Sequence, residues 1–113
     1  MRLGLSEADA EILIELGDIY ASHPGGMHDL AIECFQRAAV NHPSNGEAWQ
    51  KLGDAASAKG DINLSIDAYK KAIELIEGDG NRQKIAMTLQ ELLISVGEGR
   101  EEEIAPYRKY LSI

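Results

Sequence analysis

Apolar residues recur along this chain at spacings of three and four, and alternation at a spacing of two is nearly absent. That rhythm predicts helices throughout. Ile12, Leu13, Leu16, Ile19 and Tyr20 form one stripe, so a first buried helix is expected over about Glu7 to Ser22. Ser6 and Asp9 would open it as a capping box, and the His-Pro-Gly-Gly turn after Ser22 would stop it. A second helix is expected near His28 to Val40, with Leu30, Ala31, Cys34, Phe35 and Ala38 on its inner side. Asn41 to Asn45 is turn sequence that supplies Ser44 or Asn45 as the next cap. A third helix, about Gly46 to Ala58, turns Trp49, Leu52 and Ala56 inward. Gly60 then suits a left-handed helix terminus, and Asp61 caps a fourth helix over about Ile62 to Ile76. Leu64, Ile66, Tyr69, Ala72, Ile73 and Ile76 are its core candidates. A fifth helix is expected from near Arg82 to Val96 on Ile85, Leu89, Leu92 and Val96. The last segment, Arg100 to Leu111, is helical in composition but carries Pro106, which removes a hydrogen bond and should kink it. Helices joined by such short connections lie antiparallel as stacked hairpins in one domain.

The tripeptide Leu-Gly-Asp occurs twice, at Leu16 and at Leu52, inside two of these helices. A helix-interior glycine costs roughly 1 kcal/mol relative to alanine. Superposing the copies, 36 residues apart, aligns more than the tripeptide. The first reads Leu13, Leu16, Gly17, Tyr20, Ala31, Phe35, Ala38 and Pro43. The second reads Trp49, Leu52, Gly53, Ala56, Ser65, Tyr69, Ala72 and Glu77. Two extra residues in the first turn bring the shared spacing to 34. This pattern resembles the tetratricopeptide repeat, W-x2-L-G-x2-Y…A-x3-F…P. The resemblance implies an all-α, right-handed solenoid of about three helical hairpins: repeat 1 at about 10–45, repeat 2 at about 46–79, and a degenerate repeat or capping hairpin at about 80–113. In the third unit either Ile85-Ala86 or Ala86-Met87 stands where Leu-Gly stood. Within each hairpin the glycine is expected to admit the facing helix, Gly17 against Ala31 and Ala38 and Gly53 against Ser65 and Ala72.

Charge and chemistry narrow the function. A net charge of −8 with dispersed Lys and Arg argues against nucleic acid and anionic membrane surfaces. The start lacks the apolar core of a secretory signal and no run is apolar enough to span a bilayer, so a cytoplasmic location is expected. Cys34, the one cysteine, occupies the repeat position of Ala68 and reads as a packing residue. His23, His28 and His42 have no ligand spacing, and no catalytic motif is present; no metal, no cofactor and no enzyme activity are expected.

Tetratricopeptide modules bind a partner segment in the concave groove formed by the first helix of each repeat. The resemblance therefore assigns Glu11, Ile14 and Asp18 to the groove, then Glu47, Gln50, Asp54 and Ser57, with Lys84 and Thr88 from the third unit. One branch grips a C-terminal carboxylate with Lys and Asn. Here Ile14 and Asp18 hold those positions and Asp54 adds a further acid. An acidic groove disfavours the tail of an Hsp70- or Hsp90-type chaperone. It suits instead a protein or peptide partner that is basic or an amphipathic helix, with Ile14 as an apolar contact. The alternative expectation is self-association through an uncovered end face, with the chain acting as an oligomerisation or assembly domain.

Overall fold

A computed structural model of the chain describes residues 7–112, without the side chains of Glu7 and Ala8. Six helices and no strands are found among the described residues. They are α1 (Glu7–Ser22), α2 (His28–Asn41), α3 (Gly46–Lys59), α4 (Ile62–Leu75), α5 (Asp79–Val96) and a C-terminal 3₁₀ helix (Arg100–Tyr110). Each packs on its neighbour in sequence, α1 also approaches α3, and α4 also bonds the C-terminal helix through Lys70 and Asn63. That is the contact pattern of hairpins stacked along one axis.

The boundaries have local causes. Asn45 Oδ1 accepts the Ala48 N–H at 3.1 Å and Asp61 Oδ1 accepts that of Leu64 at 3.2 Å, so α3 and α4 both open on side-chain caps. Gly60 ends α3 at φ 95°, where its N–H reaches back to the Ala56 and Ser57 carbonyls. α5 begins three residues earlier than the apolar pattern predicts, after Gly78 at φ 96°, and takes Gly80 into its first turn. Pro106 lies inside the last helix, which is of the 3₁₀ type throughout. Ser6, and with it the expected capping box, lies outside the described residues.

Two apolar clusters form the core. The first joins Ala31, Phe35, Ala38 and Ala39 of α2 to Ala48, Leu52 and Ala55 of α3; the second joins Ile66, Tyr69, Ala72 and Ile73 of α4 to Ile85, Ala86, Leu89 and Leu93 of α5 and to Ile104. Trp49 packs against both. Cys34 is buried beside them, as a packing role requires, and burial pushes its thiol above the ordinary range.

The glycines do something more direct than admit small residues. A Cβ on Gly17 would lie 2.5 Å from Cε1 of Phe35, and one on Gly53 2.8 Å from Cδ1 of Tyr69. The aromatic ring of the second helix rests on the bare backbone of the first. Ser65 Oγ donates to the Gly53 carbonyl at 2.9 Å and fixes the same crossing.

The first helix departs from the expected burial. Ile12, Leu16 and Ile19 are 62%, 39% and 65% exposed, so these three do not face the core as the stripe predicts; Leu30 is exposed as well. The repeat equivalents of the α1 trio, Ala48, Leu52 and Ala55, are buried against α2. No described hairpin precedes α1 to do the same. Leu16 is thus not a hairpin contact but a contact between hairpins, made at Leu52 and unmade at Leu16.

The C-terminal helix is held by charge. Glu103 accepts from Arg100 Nε and from Lys70 Nζ, both at 2.5 Å, and Arg100 also reaches Asn63 Oδ1 at 2.7 Å. Arg100 first, then Lys70, hold the Glu103 carboxyl at about 2, below its ordinary 4.5. A folded-state value below the unfolded one gives stability that is complete above 4.5 and lost as pH falls toward about 2. The near-ultraviolet dichroism of Tyr107 and Tyr110 should weaken in that window. Glu103→Gln should loosen the helix at neutral pH and flatten the acid response; an unaltered response would show that the triad does not hold it.

Candidate functional site

The surface shared by α1 and α3 carries two recesses. In the first, of about 220 Å³, Phe35 and Ala55 form the floor, and Asp18, His28, Lys51 and Asp54 stand around it. Lys51 Nζ lies 3.0 Å from Asp18 Oδ1, bridging α3 to α1, and the Tyr69 hydroxyl donates to Asp54 Oδ1. Burial, then the Asp54 carboxylate, raise the Tyr69 hydroxyl far above its ordinary value, so it stays a donor at neutral pH. Both aspartates of the repeated Leu-Gly-Asp therefore face this surface, already engaged by neighbours.

The second recess, of about 240 Å³, is lined by Glu11, Ile14, Glu15 and Asp18 of α1 and by Glu47 of α3. Four carboxylates line one concavity. Glu11 and Glu47 are exposed, while Ile14 is 5% exposed and belongs to the core cluster. Ile14 therefore lines the recess with only a small part of its side chain open. Gln50 and Ser57 are half-buried on α3.

The third helical unit fixes its own register. Ile85 and Ala86 are buried like Leu52 and Gly53, whereas Met87 is 51% exposed, so Ile85-Ala86 holds the Leu-Gly position. Lys84 and Thr88 then take the places of Lys51 and Ala55, beside the groove row rather than in it. Thr88 Oγ1 donates to the Lys84 carbonyl, turned along its own helix. The row itself passes through Gln83, Met87 and Gln90, in the places of Gln50, Asp54 and Ser57. Gln83 Nε2 is already bonded to the Leu111 carbonyl at 3.1 Å. Sequence reasoning missed Lys51 and Met87. Lys51 was legible only as the residue preceding a Leu-Gly, and Met87 only once the register was known.

No cluster of three or more His, Cys, Asp or Glu with metal-binding geometry occurs among the described residues, and none of their helices is long and apolar enough to cross a membrane.

A stack of helical hairpins defines the class: a helical-repeat scaffold, a fold typically without catalysis. Residues 46–79 match the tetratricopeptide repeat family model, and these are the residues of the α3–α4 hairpin with its following turn. Solved structures of MamA, a tetratricopeptide protein, are similar over 93% of the chain at 25% identity. For a point mutant of MamA the TM-score is 0.69 and the match spans 73% of that chain; for MamA AMB-1 it is 0.70 and the match spans 54% of that chain. No curated protein sequence matches. The chain thus carries a tetratricopeptide repeat at residues 46–79 within a fold similar to that of tetratricopeptide proteins, and that fold supports a role as a protein–protein interaction scaffold.

Proposed function

We propose that the α1–α3 groove binds a basic segment of a partner protein, extended or as an amphipathic helix, and that the domain acts as a non-catalytic adaptor, cytoplasmic in location. The observation that carries this reading is the recess in which Glu11, Glu15, Asp18 and Glu47 converge. Asp18 already has Lys51 as a counter-ion. The exposed Glu11 and Glu47 offer their carboxylates to a lysine or arginine from outside. Such contacts steer association and weaken with salt.

The test is binding of a lysine-rich amphipathic peptide by fluorescence anisotropy across a salt series. Changing Glu11→Lys together with Glu47→Lys should weaken binding by about tenfold at low ionic strength and flatten the salt dependence. Equal affinity of the charge-reversed and native domains would overturn the reading.

A further inference from the structure

The geometry points to a second docking surface at the N-terminal end of the stack, built for a partner helix with an apolar seam and a basic flank. Its chemistry can be read from inside the chain, because the same surface recurs one repeat later with its occupant in place. On α3 the positions Ala48, Leu52 and Ala55 are covered by α2, whose covering residues are Ala31, Phe35, Ala38 and Ala39. On α1 the same positions hold Ile12, Leu16 and Ile19, larger in sum and open. A surface of this shape takes a helix with small residues at helical spacing, as α2 supplies.

Charge selects among the helices that would fit. At the internal junction Lys51 of α3 reaches back to Asp18 of the preceding hairpin at 3.0 Å. Lys84 holds the same repeat position in α5. In α1 that position is Glu15, exposed at the edge of the stripe. The polarity of the junction is thus reversed at the open end, and the covering unit must present a cation where this chain's own repeats carry Asp18 and Asp54. A hairpin of the chain's own kind would set aspartate against Glu15.

The same reasoning excludes a second copy as the occupant. Two α1 helices packed face to face would bring together helices with acids at Asp9, Glu11, Glu15 and Asp18 and no lysine or arginine. Head-to-tail stacking would need an apolar C-terminal end. The last helix instead turns Glu101, Glu102, Arg108 and Lys109 outward, the polar face of a solenoid cap. Among the described residues, the C-terminal end is polar and the N-terminal end carries the exposed apolar stripe.

The probe is a synthetic amphipathic helical peptide with an alanine–leucine seam flanked by lysines, compared with its glutamate-flanked counterpart, both titrated against the full chain. The lysine peptide should bind and the glutamate peptide should not. Leu16→Ser combined with Ile19→Ser should weaken the lysine peptide by about tenfold or more, because two apolar contacts are lost. Both positions are exposed, so the thermal midpoint should stay within a few degrees and report an intact fold. Glu47→Lys, which reverses a charge in the acidic recess that carries the groove reading, should leave this binding unchanged; that separates the end face from the groove reading of the previous section. Glu15 also lines the groove recess, so Glu15→Lys is read in the Glu47→Lys background, where it should still reverse the preference between the two peptides. Three results would each overturn the proposal: equal binding of both peptides, loss of binding in Glu47→Lys rather than in the Leu16/Ile19 variant, or sedimentation as a dimer that Leu16→Ser dissolves.

Discussion

Leu52→Ala is expected to destabilise the domain by about 2–5 kcal/mol, whereas Leu16→Ala, at the identical repeat position, should cost less than about 1 kcal/mol. The two leucines share their neighbours in sequence, Gly and Asp, and their phase on the helix. They differ in what lies opposite. Leu52 is 1% exposed, within the cluster that joins α2 to α3, so truncating it leaves a cavity bounded by two hairpins. Leu16 is 39% exposed, so truncation there removes less buried surface and leaves no enclosed cavity. Urea denaturation of the two variants measures the contrast directly. Equal midpoint shifts would mean that Leu16 is covered in solution, and the end-face surface would go with it.

The second large effect is expected at Gly53. Introducing leucine there should destabilise the fold by about 1–3 kcal/mol through overpacking, despite leucine's better helix propensity. A Cβ alone would meet Cδ1 and Cε1 of Tyr69 at 2.8 Å. The ring has little freedom to withdraw, because its hydroxyl is tied to Asp54 and the Ser65 hydroxyl anchors the same helix crossing to the Gly53 carbonyl. The clash is therefore resolved by moving α4 away from α3, which loosens the core on both sides of the hairpin. A double-mutant cycle isolates the cause. In a Tyr69→Ala background the additional cost of Gly53→Leu should largely vanish, since the ring that it strikes is gone. Additive costs, or an unchanged urea midpoint for Gly53→Leu alone, would contradict this account of the repeated glycine.

Much of this architecture is legible in the sequence, for specific reasons. Asn45, Gly60 and Asp61 are residues whose side chain or backbone freedom does one thing well, and each is found doing it. The matched Gly and aromatic positions of the two hairpins are legible because a ring on a bare helix backbone leaves little latitude at either residue. What sequence misjudged depends on place in the array rather than on residue type. Ile12, Leu16 and Ile19 look like a core stripe because in any internal repeat they would be one. Ile14 looks like a groove residue by repeat position and lines the acidic recess, but most of its side chain packs in the core beside Leu13 and Tyr20, which repeat position alone does not show. The acidic side of the groove follows from Glu11 and Glu47 alone. The pairing of Lys51 with Asp18 and of Tyr69 with Asp54 needs the relative placement of helices, which no single-helix pattern contains.

The position of Trp49 has a consequence for how unfolding would look. Its indole N–H donates to the Pro43 carbonyl at 2.9 Å, Lys71 Nζ lies 5.3 Å from its ring centre, and it touches both apolar clusters. The sole tryptophan thus sits at the joint between the two halves of the stack, while Tyr107 and Tyr110 lie at the far end against the second cluster. Nearest-neighbour coupling allows a short array to melt from one end. Fluorescence from the joint and dichroism from the tail then form a two-channel optical gauge: coincident traces mean one cooperative unit, and a tail that leads the joint means fraying that travels inward.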